Sequence, residues 1–350
     1  AVPHLMDALL DAKQQDIWPR IITALPQLGK AAVNPLVMAL HVDNEDVRQN
    51  VIQALGAIGY PQAVPYLRKV AGLSNVPPET KDAAAAAIKR IETTIGRDVP
   101  GESAELFYRL AEQYFNEDDS VRADPRLDQA NTWYWDAKTR GLNPIVVPTK
   151  IYGQVMAMRC CEEALTLRRD HQGAIGLWLA SNVRRESKLG MNVESGDPNE
   201  QGEADATRPD VFPRALYATQ AAGPRYAHLV LDRALRAQDT ALALGAVEAL
   251  RATAGESSLI GNEDYKQPLA QCLRFPDKLV RIRAARRRQA FYPVDAHAGE
   301  DRTQAAHGDV ATLTLIAVDR DAGNTLDRLG QIVVGEVGDV LGLDDIDNAD

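Results

Sequence analysis

The 350 residues of the chain are enough for about two domains of ordinary size or one extended array. Apolar residues make up 45% and aromatics 5%, which suits helices packed through Ala and Leu better than a β-sandwich, and no apolar run approaches the ~20 residues of a membrane span. With 39 basic against 49 acidic residues the net charge is −10, the opposite of the basic footprint of a dedicated nucleic-acid binder.

The numbered chain begins Ala1-Val2-Pro3 without a methionine. A soluble protein is expected, cytoplasmic or, if Ala1 is a processed start, of the cell envelope or periplasm. The first informative feature is self-similarity. Residues 24–36 (ALPQLGKAAVNPL) align with 54–66 (ALGAIGYPQAVPY), pairing Ala24 with Ala54, Leu25 with Leu55, Leu28 with Ile58, Gly29 with Gly59 and Pro35 with Pro65. Each copy has apolar residues at helical spacing, a glycine able to end a helix in the left-handed conformation, and a proline opening the next helix. A degenerate third copy places Ala87, Ile88 and Ile91 in the same positions after an insertion at 72–79. Between the first two, Asp43 or Asn44 is predicted to cap a helix with the apolar stripe Val47, Val51, Ala54, Leu55 and Ile58. Glu45 and Asp46 favour the positive end of its dipole.

This arrangement resembles a HEAT repeat, especially the short lyase-type HEAT-like units. Their second helix opens on an acidic residue and Val-Arg and ends in Ala-Leu and Ile-Gly; Val47-Arg48, Ala54-Leu55 and Ile58-Gly59 are the matching positions. Far downstream, PLAQCLRFPDKLVR at 268–281 aligns without a gap with PLVMALHVDNEDVR at 35–48, and residues 226–255 look like another unit. The resemblance implies an all-α fold, an α-solenoid of antiparallel helix pairs, with N-terminal HEAT-like repeats over 1–98 and a second HEAT-like block over 212–290. It also implies that Arg48 and Arg281 are structural, bracing neighbouring repeats by polar contacts.

Residues 101–190 stay helical in pattern but lack Val-Arg. Phe107, Leu110, Ala111 and Tyr114, then Ala130, Tyr134 and Ala137, resemble the two helices of a tetratricopeptide unit, and residues 161–171 resemble the end of another, with Ala157, Cys161 and Ala164 in the small positions. A helix is therefore expected over 130–137. Pro144 and Pro148 interrupt the pattern. The three cysteines, Cys160, Cys161 and Cys272, lack metal spacing and read as packing residues. Residues 191–211 carry six acidic residues and almost nothing apolar, an acidic loop or linker. In the tail, 291–350, the run ATLTLIAVD followed by a helical pattern resembles the opening of a response-regulator receiver domain. Asp319 matches the first of that family's acidic pair, but Arg320 occupies the second position. A truncated or pseudo-receiver is one expectation; an ordinary terminal β-α segment is the other.

The six histidines are scattered, and no phosphate loop or nucleophile elbow occurs. No catalytic, cofactor-binding or metal-binding residue is named, and no enzymatic activity or cofactor is expected. Two groups remain as partner-binding candidates. Arg286, Arg287 and Arg288 could meet phosphates or an acidic partner, against the plainer reading of a solvated helix face. In Trp133-Tyr134-Trp135, residues about 100° apart on the expected helix cannot share one buried stripe, so Trp133 or Trp135 is expected at a partner surface and Tyr134 in the core. The sequence thus points to a non-catalytic scaffold or adaptor mediating protein–protein interaction, with nucleic acid disfavoured as a partner. The alternatives are a signalling protein with a degenerate receiver-like tail and a bilin-lyase-like HEAT protein.

Overall fold

A computed structural model describes residues 2–208, 212–255, 258 and 266–291. The expected terminal β-α segment, with Asp319 and Arg320, lies outside the described residues. The chain divides into two compact units, Ala1–Asn192 with Asn199–Phe212, and Val193–Pro198 with Pro213–Asp350.

The first unit contains α1 (Val2–Leu10), α2 (Trp18–Ala24), α3 (Val33–Ala39), α4 (Glu45–Ile58), α5 (Val64–Gly72), α6 (Pro78–Ile95) and α7 (Ser103–Phe115). A hairpin of β1 (Gln129–Asp136) and β2 (Gly141–Pro148) follows, then α8 (Thr149–Leu167) and α9 (Gln172–Lys188). Helix α4 packs on α6, α5 on α6 and α7, α7 on α8, and α8 on α9, the side-by-side stacking of an α-solenoid. Each helix contributes one buried stripe to the shared core: Val47, Val51, Ala54 and Leu55 from α4, Ala84, Ala87 and Ile91 from α6, Phe107, Leu110, Ala111 and Tyr114 from α7.

The ends of α4 follow from its sequence. Asn44 is extended, and its side chain accepts the Val47 N–H at 3.2 Å. Gly59 closes the helix at φ 78°, its N–H on the Leu55 carbonyl. A β-carbon there would also stand 2.9 Å from Thr94 Cγ2 of α6, so conformation and space both favour glycine.

In the second unit α10 (Ala215–Ala222) and α11 (Pro224–Ala237) precede α12 (Thr240–Thr253), and α13 (Pro268–Gln271) precedes α14 (Lys278–Phe291). Helix α12 packs against α10, α11 and α14. The sequence match between 35–48 and 268–281 extends to individual hydrogen bonds. Where Asn44 accepts from Val47, Asp277 accepts from the Val280 N–H at 3.1 Å. Where the Arg48 guanidinium donates to the Val42 carbonyl, Arg281 donates to that of Phe275, at 2.7 Å. Asn44→Ala and Asp277→Ala are each expected to cost about 1 kcal/mol of stability, checked by urea denaturation.

Two expectations need correction. The hydrogen bonds of Arg48 and Arg281 to backbone carbonyls lie within their own repeats: Arg48 also donates to the Leu40 carbonyl at 3.0 Å, and Arg281 to that of Pro276 at 2.6 Å. These guanidiniums satisfy carbonyls left open where the preceding helix ends. The reach to the next pair passes through Glu45, which pairs with Arg48 and accepts from Thr80 of α6 at 3.0 Å. Second, the helix expected over 130–137 is strand β1 through Asp136. Thr132, Trp133, Tyr134 and Trp135 face Ile145, Pro144, Asn143 and Leu142 across an antiparallel ladder. Aromatic and β-branched residues fit a pleated, half-buried surface, and Pro144 and Pro148 deny α8 an earlier start. The turn is held by Asp136, whose carboxylate accepts the Lys138 N–H at 2.9 Å and the Thr139 hydroxyl at 2.8 Å, with Arg140 left-handed at φ 51°.

Candidate functional site

Residues of a strand alternate between its two faces, and directly opposed residues share a face. On one face of the hairpin Thr132 and Val147 are fully buried, and the Tyr134 ring lies under the guanidinium of Arg159, 4.2 Å from the ring centroid. The other face carries Trp133 opposite Pro144, Trp135 opposite Leu142, and Asn131 opposite Val146. Here Trp133 and Trp135 are partly exposed, Pro144 is exposed, and Val146 is 44% exposed. A strand does what a helix could not: it puts both tryptophans on one surface, with Tyr134 turned the other way.

Neither edge of the hairpin is a clean template for another strand. Proline has no N–H to donate, so Pro144 and Pro148 must occupy pairs that exchange no ladder hydrogen bonds, and their missing donors fall on the outer edge of β2. On β1 the Trp133 carbonyl accepts from Arg159 at 2.9 Å.

A polar layer in the core of the same unit involves α3, α7 and α8. The Asn34 amide donates to the Tyr152 hydroxyl at 2.6 Å, and the Tyr114 hydroxyl donates to Asn34 at 3.1 Å. Burial pushes Tyr152 up to about 12 and Tyr66 and Tyr114 well above the usual phenol range. It also pushes the Cys160 thiol up to about 12, which denies it the thiolate a nucleophile or redox centre requires. Cys161 and Cys272 are buried as well and form no disulfide. Among the described residues no group of three or more His, Cys, Asp or Glu could hold a metal ion. No helix there is long and apolar enough to cross a membrane.

Of the five residues singled out from sequence, the structure brings Trp133 and Trp135 together on the hairpin. Arg286, Arg287 and Arg288 fall within α14, and their side chains lie outside what is described. Sequence reasoning missed Arg159, which grips both the backbone and the inner ring of β1. Its signal was a lone cation inside the apolar, small-residue run Val155–Cys161.

The family model for HEAT repeats matches residues 2–89, the span from α1 into α6 where the paired helices and the Asn44 and Gly59 stops are found. No curated protein matches the chain. The repeated helix pairs, the Asn44 and Gly59 stops and the family match agree that residues 2–89 are built of HEAT repeats.

Proposed function

We propose that the chain is a non-catalytic scaffold or adaptor that binds a protein partner, with Trp133 and Trp135 as contact residues. HEAT repeats typically serve as protein-interaction scaffolds, which supports the general class. The observation that carries the specific reading is the placement of two tryptophans beside Pro144 and Val146 on the outward face of a hairpin whose other face is anchored by Arg159. Large aromatics on a rigid support lose little conformational freedom when covered, the property of binding hot spots. The Pro-blunted edge favours a partner that packs against side chains over one that adds a strand.

The test is affinity capture with the full chain, comparing the unaltered protein with Trp133→Ser/Trp135→Ser. The variant is expected to lose at least one specifically captured protein, with affinity reduced by about tenfold or more, while its thermal midpoint stays within a few degrees. An identical capture list for both proteins would sink the assignment of this face. Recovery of only nucleic acid or small molecules by the unaltered protein would sink the scaffold reading itself.

A further inference from the structure

Helix α14 turns one face inward: Val280 and Ala284 are fully buried, and the helix packs on α12. Two of its cations are occupied within the unit, Arg281 on the carbonyls of the preceding turn and Arg283 in a 2.7 Å ion pair with Glu194. A different stripe faces outward. Leu279 and Ile282 are 43% and 37% exposed, one helical turn apart, and Lys278 is exposed beside them. From residue 274 to 288 the sequence has seven Lys and Arg against the single Asp277. An aliphatic pair set among cations calls for an occupant that is both acidic and apolar.

The chain supplies one. Residues 292–350 hold thirteen Asp and Glu against three Arg, so this stretch alone accounts for the net charge of −10 and residues 1–291 sum to zero. It also contains aliphatic runs, with Leu313, Leu315, Ile316 and Val318 in one of them. It begins immediately after α14. We propose that the Lys278–Leu279–Ile282 face of α14 is a docking surface and that its occupant is the acidic, aliphatic segment 292–350 of the same chain. A tethered ligand is presented at an effective concentration on the order of millimolar, so contacts too weak for a free peptide suffice. Nucleic acid would match the cations but leave the aliphatic pair uncovered. This inference stands apart from the hairpin reading and survives its failure.

Hydrogen exchange on the full chain tests it. In Lys278→Glu/Ile282→Asp, where both altered side chains are exposed, amides of residues 292–350 are expected to exchange about threefold faster or more than in the unaltered chain at low salt. In the unaltered chain, 1 M salt should raise their rate toward that of the variant, because screening removes the charge attraction. Equal rates in variant and unaltered chain, with no response to salt, would overturn the proposal. So would protection that grows with protein concentration, which would assign the occupant to a second copy. Should the variant not fold, the salt response of the unaltered chain decides alone.

Discussion

Replacing Arg185 with methionine is expected to destabilise the first unit by about 3–5 kcal/mol, a larger loss than any surface ion pair could cause. Arg185 and Asp205 are both buried and meet at 2.8 Å. The guanidinium also donates to the Asn182 side chain at 3.2 and 3.1 Å and lies 5.4 Å from the centroid of the Phe212 ring. Burial pulls the pKa of Arg185 down and the charge of Asp205 pulls it back up, so the pair is a desolvated one held by mutual neutralisation. Methionine fills much of the volume but strands the carboxylate of Asp205, whose remaining acceptance from the N–H and hydroxyl of Thr207 does not balance its charge. Alongside, Arg208 stands 3.6 Å from Glu162 and stacks on Phe212, and the Trp178 indole donates to the same Glu162 at 2.9 Å. The double change Arg185→Met/Asp205→Leu should recover more than half of the lost stability, because it removes both charges together. Urea unfolding of Arg185→Met, Asp205→Leu and the double variant measures this. If the double variant is as unstable as the sum of both single losses, the pair is not energetically coupled.

The same network marks where sequence reasoning reached its limit. The acid-rich composition of 191–211 predicts a loop, and the described residues there form neither helix nor strand. Composition could not show that Asp205 and Arg208 are carried into the body of the first unit, because their partners, Arg185 and Glu162, are 20 and 46 residues away with no periodicity connecting them. Local grammar was far more legible. Asn44, Gly59 and the Val47–Leu55 stripe were each readable because capping, left-handed closure and helical spacing are encoded within a few residues. The alignment of 35–48 with 268–281 was readable for the same reason, down to matching backbone acceptors.

The hairpin shows how a spacing can mislead. Ala130 and Tyr134, four apart, share a face on a helix, and they share a face on a strand as well. The distinguishing signal was composition: Thr-Trp-Tyr-Trp in the first run and Ile-Val-Val between two prolines in the second is strand chemistry. The consequence reaches the candidate site, since period two places Trp133 and Trp135 together where a helix would have separated them. Arg159 was beyond local reading altogether, because its partners on β1 lie some 25 residues upstream.

Acidification from pH 7 to pH 5 is expected to weaken the second unit by about 2 kcal/mol through His228 alone, rising to about 3 kcal/mol at pH 4. His228, on α11, is fully buried, and burial pushes its pKa down to about 4 from the ordinary 6.5. The folded state therefore favours the neutral ring, while the unfolded chain takes up a proton below pH 6.5. Between pH 6.5 and 4 the unfolded state binds more protons, so stability is complete above that window and falls as pH drops through it. Two histidines of the first unit shift in the same direction, His41 chiefly by burial and His171 by burial and then the charge of Arg168. His171 has a structural reason to remain neutral: its Nδ1 accepts the Ala174 N–H at 3.2 Å and caps α9, a bond that protonation at Nδ1 would destroy. Most carboxylates stay ionised down to pH 5, so loss in this range reports on the histidines. His228→Gln should flatten the pH dependence of the second unit's unfolding between 6.5 and 5, measured by chemical denaturation with hydrogen exchange to assign the unit. An unchanged slope in that variant would show that His228 is not the group being titrated.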